Sequence, residues 1–235
     1  MTGWRKKGPR ILIRMGKWGL IALLVIWAFT MVQVLMLKYV NPPFTAAMAW
    51  NRIKRGEGLR RGLPGDLWRP LNEISPHLRR AVLAGEDQRF LSHRGFDFIE
   101  LNHAIQDMVL SKGQRGASTI TMQVARTVFL WHERSWLRKG VEAYYTILIE
   151  LCWSKSRILE MYLNTVDWGS GVKGAEAASQ KYWRTSSTRL TRSQAAVLAA
   201  ILPNPHRWSP TNPNARVLRR KRRILREMGK MPLLS

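Results

Sequence analysis

The sequence predicts a mainly α-helical protein with one membrane-spanning helix ahead of its folded domain. Three observations predict this. Apolar residues recur at helical spacing between strong caps, no stretch alternates apolar and polar residues as a half-buried strand would, and an uncharged run of 20 residues lies near the N-terminus.

That run is Trp18 to Leu37, whose clearly polar members are Thr30 and Gln33. Twenty helical residues reach about 30 Å, the thickness of a bilayer's hydrocarbon core. Arg5, Lys6, Lys7, Arg10, Arg14 and Lys17 precede it. Positive flanks stay in the cytoplasm, which sends everything after Lys38 to the outer face. Asn41-Pro42-Pro43 stops the helix. Ala47-Met48-Ala49 resembles a signal cleavage site, but it lies far past a run longer than a usual signal core, so an uncleaved anchor is expected. The expected divisions are a basic cytoplasmic tail at 1–17, a transmembrane helix at 18–38, a polar connector at 39–64 and one domain at 65–235.

In that domain Ser75-Pro76, an N-cap with proline at the first helical position, opens a pattern through Leu78, Val82, Leu83 and Phe90. At 100° per residue Glu86 falls inside the same arc of roughly 140°, so its carboxyl group points where the helix buries its side chains. Burial raises a carboxylate's pKa and suits it to general base or acid work near neutral pH, whereas Arg79, close to the same angle, would lower it. The local alternative is a glutamate on the helix surface. Phe96 to Leu110 is apolar-rich; core packing is its default use, and dipping into a bilayer surface is the other. From Gly116 through Ser118, Thr119 and Thr121, a glycine turn and hydroxyl residues lead into a helix, either a plain N-cap or an anion site. Arg126 and Arg134 follow at steps of eight and could extend it into a basic wall that grips phosphate.

A helix from about Ser135 to Cys152 carries a stripe of Leu137, Val141, Tyr144, Leu148 and Leu151. Arg138 and Glu142 sit beside it at i, i+4, a spacing ordinarily worth about 0.2–0.5 kcal/mol on a surface. A further helix holds Lys155, Ile158, Leu159, Tyr162 and Leu163. Thr191 and Gln194 form a capping box ahead of an alanine-rich helix that Pro203 ends. Arg216 to Lys230 is a basic amphipathic helix.

Composition narrows the partners. The chain's 235 residues suit one domain plus an appendage, and a lone Cys152 excludes an internal disulfide. A formal charge of +24 points to a polyanion: nucleic acid, an anionic membrane or a phosphorylated substrate. No zinc-ligand spacing, P-loop or dinucleotide fingerprint occurs, so no organic cofactor is expected.

Taken in order, these segments resemble the peptidoglycan glycosyltransferase family, which polymerises lipid II. Glu86-Asp87 with Phe90, His93, Gly95 and Asp97 is similar to its first motif, and Gly116, Ser118 to Thr121 and Gln123 to its second. Arg138-Lys139 with Glu142 resembles the third. Lys155 with Ile158-Leu159-Glu160 and Tyr162-Leu163-Asn164 resembles the fourth, and Gly169, Gly174, Ala175 to Ala178 and Tyr182 continue the match. Two positions depart from the usual pattern: Met122 where a glutamine is common, and Arg126-Thr127 where Lys-Asn is common.

The resemblance implies a lysozyme-like helical fold and a monofunctional, single-anchor enzyme without a transpeptidase domain. It makes Glu86 the base that deprotonates the acceptor's 4-hydroxyl. Ser118, Arg126, Arg134 and Lys155 become holders of the donor's diphosphate, and Asp87, His93, Thr119, Gln123, Arg138 and Lys139 further substrate contacts. Glu142 is left two roles: ordering those cations, or holding a divalent ion, Mg2+ or Mn2+, at the diphosphate. Implied partners are lipid II, the growing glycan strand, membrane phospholipid and other wall-synthesis or division proteins. An outer-facing domain would not meet nucleic acid. The rivals are a lysozyme-like lytic enzyme, which also uses a buried glutamate but needs no cationic cluster, and a membrane-anchored scaffold.

Overall fold

The computed structural model describes residues 8–54, 67–110, 118–131, 133, 135–169 and 171–234. Its helices are α1 (Gly8–Tyr39), α2 (Ala46–Lys54), α3 (Pro76–Glu86), α4 (Phe98–Val109), α5 (Ile120–Phe129), α6 (Trp136–Cys152), α7 (Lys155–Thr165), α8 (Ala175–Trp183), α9 (Arg192–Ile201) and α10 (Ala215–Glu227). Among the described residues there is no strand, only one antiparallel bridge between Asp167 and Lys173.

The chain divides after Val40 into two units. The first contains α1, whose segment Arg14–Tyr39 is long and apolar enough to cross a membrane. Trp18, Leu23, Val25 and Phe29 are exposed along it, as suits a helix that meets lipid rather than water.

The second unit is built around α9. Ala195 through Ile201 are all buried, so this helix has no solvent face over its last two turns. Its alanines let α3 and α10 pack closely against it. A Cβ on Gly85 would come within 3.2 Å of Ile224 Cδ1 and 3.7 Å of Ala199 Cβ, so glycine is what lets the end of α3 reach both neighbours. On the other side α5 packs against α6 and α7. Leu78, Val82, Leu83 and Ile120 are fully buried, each contributing on the order of 1.5–3 kcal/mol. Two caps are as the sequence predicts, with Ser75 accepting from His77 N and Thr191 forming the capping box with Gln194, and Ser135 caps α6 by accepting from Arg138 N.

Two expected helix details differ. The pattern through Phe90 breaks at Glu86, because Asp87 leaves helical geometry (φ −160°, ψ 79°) and spends its side chain on other elements. Phe90 is buried all the same, reached from a turn. In α6 the stripe of Leu137 and Leu151 faces outward, both 72% exposed. Of that expected stripe Leu148 is buried, together with Arg138, Glu142, Tyr145, Thr146 and Ile149, at i, i+4, i+7, i+8, i+10 and i+11 from Arg138. The i, i+4 pair that sequence spacing would leave at the surface is therefore inside the domain.

Candidate active site

Glu86 is the last residue of α3 and opens onto a cleft of about 710 Å³. Both of its oxygens are engaged. Arg220 Nη2 on α10 donates to Oε1 at 2.6 Å and to the Gly85 carbonyl at 2.7 Å. Gln123 Nε2 on α5 donates to Oε2 at 3.1 Å. Behind it the Tyr162 hydroxyl on α7 donates to Gln123 Oε1 at 3.2 Å. Glu86 is 12% exposed at its side chain, so the expectation that it turns inward holds. The cation beside it is Arg220 and not Arg79, which instead donates to the Leu234 carbonyl at 2.6 Å.

The loop after Glu86 fastens α3 to α5. Asp87 faces His93 Nε2 at 2.9 and 3.1 Å and accepts the Ile120 amide at 3.0 Å. Thr119 caps α5 by accepting from Met122 N and donates its hydroxyl to the Gly95 carbonyl at 2.6 Å. The N-terminus of α5, read from sequence as a cap or an anion site, thus holds the protein's own carboxylate. Ser118 and Thr119 still line the cleft. Asp87, His93 and Asp97 lie close enough to share a metal ion. Their polar atoms are largely spent within the protein: Asp97 Oδ1 caps α4 through Ile99 N and Glu100 N, and Arg89 Nε stands 3.1 Å from Oδ2. The trio is a fastening of the loop.

Arg138, Lys139 and Glu142 of the third motif and Lys155 of the fourth are not among the residues that line this cleft. Glu142, fully buried, accepts from Arg138 Nη1 at 2.6 Å and Lys139 Nζ at 2.7 Å. With both oxygens taken by cations, Glu142 fits the ordering role and does not fit a metal ligand. Lys155 Nζ donates to Glu150 Oε1 and the His93 carbonyl, both at 2.8 Å, and lies 4.5 Å from the centre of the Phe90 ring. Its charge is committed to the loop that carries His93. Arg134 lies outside the described residues. Ser170 to Lys173 has Ser-x-x-Lys spacing, but Lys173 is held by Asp167 at 2.6 Å in a bridged loop.

Of the sequence-predicted residues, the structure brings Glu86, Asp87, Ser118, Thr119, Gln123 and Arg126 to one cleft. It adds a wall that sequence reasoning passed over: Arg216, Arg219, Arg220 and Arg223 of α10 line the same space. Their spacing of i, i+3, i+4 and i+7 puts them on one face, while Val217 and Ile224 bury the other. That two-sided pattern was the available signal. Tyr162 was missed as well. Burial first, then the charge of Glu86, pushes its hydroxyl well above the usual phenol range, against the opposing pull of Arg126 and Arg220.

Residues 64–229 match the family model described as Transglycosylase. The chain is 48% identical over 213 residues, 89% of each chain, to the biosynthetic peptidoglycan transglycosylase of Pseudomonas entomophila (strain L48). It is 47% identical over 214 residues, 88% of this chain and 89% of the relative, to that of Pseudomonas syringae pv. syringae (strain B728a). The protein of the same name from Pseudomonas putida (strain GB-1) is 47% identical over 213 residues.

Proposed function

The chain belongs to the transglycosylase family, and from that premise we propose which of its residues perform the reaction and on which side of the membrane. It is a peptidoglycan glycosyltransferase, polymerising glycan from lipid II in cell wall synthesis.

In our reading Glu86 takes the proton from the 4-hydroxyl of the acceptor's N-acetylglucosamine. The freed oxygen pair attacks the anomeric carbon of the donor's N-acetylmuramic acid, and the bond from that carbon to the phosphate oxygen breaks. Undecaprenyl diphosphate leaves with the electron pair, and the α-linked donor becomes a β-1,4 link. A base must stand within about 2.6–3.2 Å of the proton it removes and hold its lone pair toward it. The supporting observation is the fixed carboxylate of Glu86, held by Gln123 and Arg220 at the edge of an arginine-lined cleft.

Arg126 with Arg216, Arg219 and Arg223 of α10 stabilises the diphosphate charge as it develops, while Arg220 stays on Glu86, since preorganised cations act most strongly where charge appears in the transition state. Lys155 and Glu142 act one layer back, fixing the loop and the Arg138–Lys139 pair. A divalent cation, if the reaction uses one, finds no open ligand at Glu142. The basic residues ahead of the apolar run Trp18 to Leu37 set the N-terminus in the cytoplasm, with the domain on the outer face of the cytoplasmic membrane. The exposed apolar residues Phe98, Ile99, Leu101 and Ile105 of α4 suit contact with the bilayer that carries the lipid substrate.

The test is incubation of the full chain in detergent with lipid II, and separately with finished peptidoglycan. Chain growth without solubilised fragments is expected, and Glu86→Gln abolishes growth while lipid II still binds. Polymer from folded Glu86→Gln would refute the base assignment.

A further inference from the structure

We infer that Tyr162 is a positioning residue that aims the Glu86 carboxylate by orienting Gln123, an inference that rests on Glu86 being the base. Tyr162 is 2% exposed, and its hydroxyl reaches Gln123 Oε1 at 3.2 Å while Gln123 Nε2 reaches Glu86 Oε2 at 3.1 Å. The two ends of a glutamine side chain have nearly the same shape and opposite hydrogen-bonding character. Facing Glu86 with its nitrogen, Gln123 attracts the carboxylate; facing it with its oxygen, it repels it. A hydroxyl that donates to the carbonyl end turns the nitrogen end toward Glu86. Tyr162 therefore sets the sign of the Gln123 contact.

The hydroxyl stays a donor across the working pH range. Burial and the charge of Glu86 oppose its ionisation, and Asp87 adds to them, while Arg126 and Arg220 act the other way without prevailing. A buried hydroxyl is costly unless it is bonded, and packing alone would be served by phenylalanine. With the hydroxyl gone, Gln123 can rotate, and Glu86 keeps only the Arg220 contact on Oε1. The carboxylate then swings toward α10 and away from the acceptor. Displacement of a reacting group by about 1 Å can lower a rate by up to about 100-fold.

The experiment compares full-chain wild type, Tyr162→Phe, Gln123→Met and the double variant on lipid II, at a temperature where thermal melts show all four folded. Tyr162→Phe is expected to lower kcat by about tenfold, the worth of one hydrogen bond, with KM within about twofold. The double variant should match Gln123→Met within about twofold, because Tyr162 has nothing left to orient. Site-specific 3-fluorotyrosine at 162, which keeps the hydroxyl, should restore kcat to within about twofold of wild type. Wild-type kcat in Tyr162→Phe, losses that multiply in the double variant, or failure of the fluorotyrosine to restore kcat would each overturn the inference. Glu86→Gln run alongside separates the two failures: polymer from that variant sinks the base assignment itself, whereas an inactive Glu86→Gln with multiplying losses sinks only the role of Tyr162.

Discussion

Arg220 Nη2 stands 2.6 Å from Glu86 Oε1, joining α10 to the end of α3 across 134 positions of sequence. The same nitrogen holds the Gly85 carbonyl, so one guanidinium fixes both the carboxylate and the backbone that carries it.

Removing that cation should loosen the Glu86 carboxylate and the domain together. Both side chains are mostly buried, and charged hydrogen bonds of this kind are worth about 1.5–3 kcal/mol. Arg220→Met is expected to lower the melting temperature and to cut lipid II turnover about tenfold or more, with Arg220→Lys recovering part of both. Melts and initial rates on the same preparations check it, and wild-type turnover in folded Arg220→Met would count against the clamp.

Glu142 makes a separate stability prediction. Its fully buried carboxylate balances Arg138 and Lys139. Taking one member from a buried pair costs about 3–5 kcal/mol, and the half-exposed Lys139 brings the figure toward the lower end. Glu142→Gln should therefore lower the denaturation midpoint by the equivalent of about 3 kcal/mol. Any Mn2+ dependence of activity should have the same half-saturation in this variant as in wild type. A shifted half-saturation would restore Glu142 as a metal ligand.

Gly95 lies at φ +89°, and a Cβ there would stand 2.7 Å from Thr146 Cγ2. Its carbonyl also receives the Thr119 hydroxyl. Gly95→Ala should both strain the backbone and push the loop off α6, costing on the order of 1–3 kcal/mol from the conformation alone. Activity is expected to fall more steeply than stability, since the loop fixes Asp87 against the start of α5; equal losses in rate and folded fraction would argue against this.

Acid should act on two carboxylates that do not line the cleft. Burial works to raise Glu176, but the Ser187 hydroxyl and amide, Gln180 and Arg69 outweigh it and hold the group below its ordinary value. Asp167 is likewise pushed up by burial but brought lower by Lys173, the Gly169 amide and His206. A depressed carboxylate contributes stability that is whole above its unfolded pKa, near 4, and is lost as pH falls through the folded value. Stability should decline below about pH 4.5, and Glu176→Gln should flatten that decline. Denaturant midpoints between pH 3 and 7 measure it; an unchanged slope would remove Glu176 from the account.

Local sequence carried the caps well, because a cap is decided by a few neighbouring atoms: Ser75 and Thr191 both serve as their spacing predicts. It also turned Glu86 inward correctly, since helical phase is local. The partner of Glu86 was not legible, because Arg79 and Arg220 are equally cationic in sequence and only the packing of α10 on α9 and α3 decides between them. The face of α6 was misread for a related reason. Leu137, Leu148 and Leu151 set the apparent stripe, yet only Leu148 is buried, because the face that packs inward is centred on Arg138, Glu142, Tyr145 and Ile149. Gln123 was placed by resemblance, and its dependence on Tyr162 belongs to three helices meeting, which no spacing records.

The grip on α3 from the end of the chain also sets an order of assembly. Glu86, Gln123 and Tyr162 emerge during synthesis in that sequence, and Arg220 follows only after all three. Leu234, later still, supplies the carbonyl that receives Arg79. A chain stopped between residues 162 and 220 would therefore hold Glu86, Gln123 and Tyr162 without the guanidinium that fixes the carboxylate.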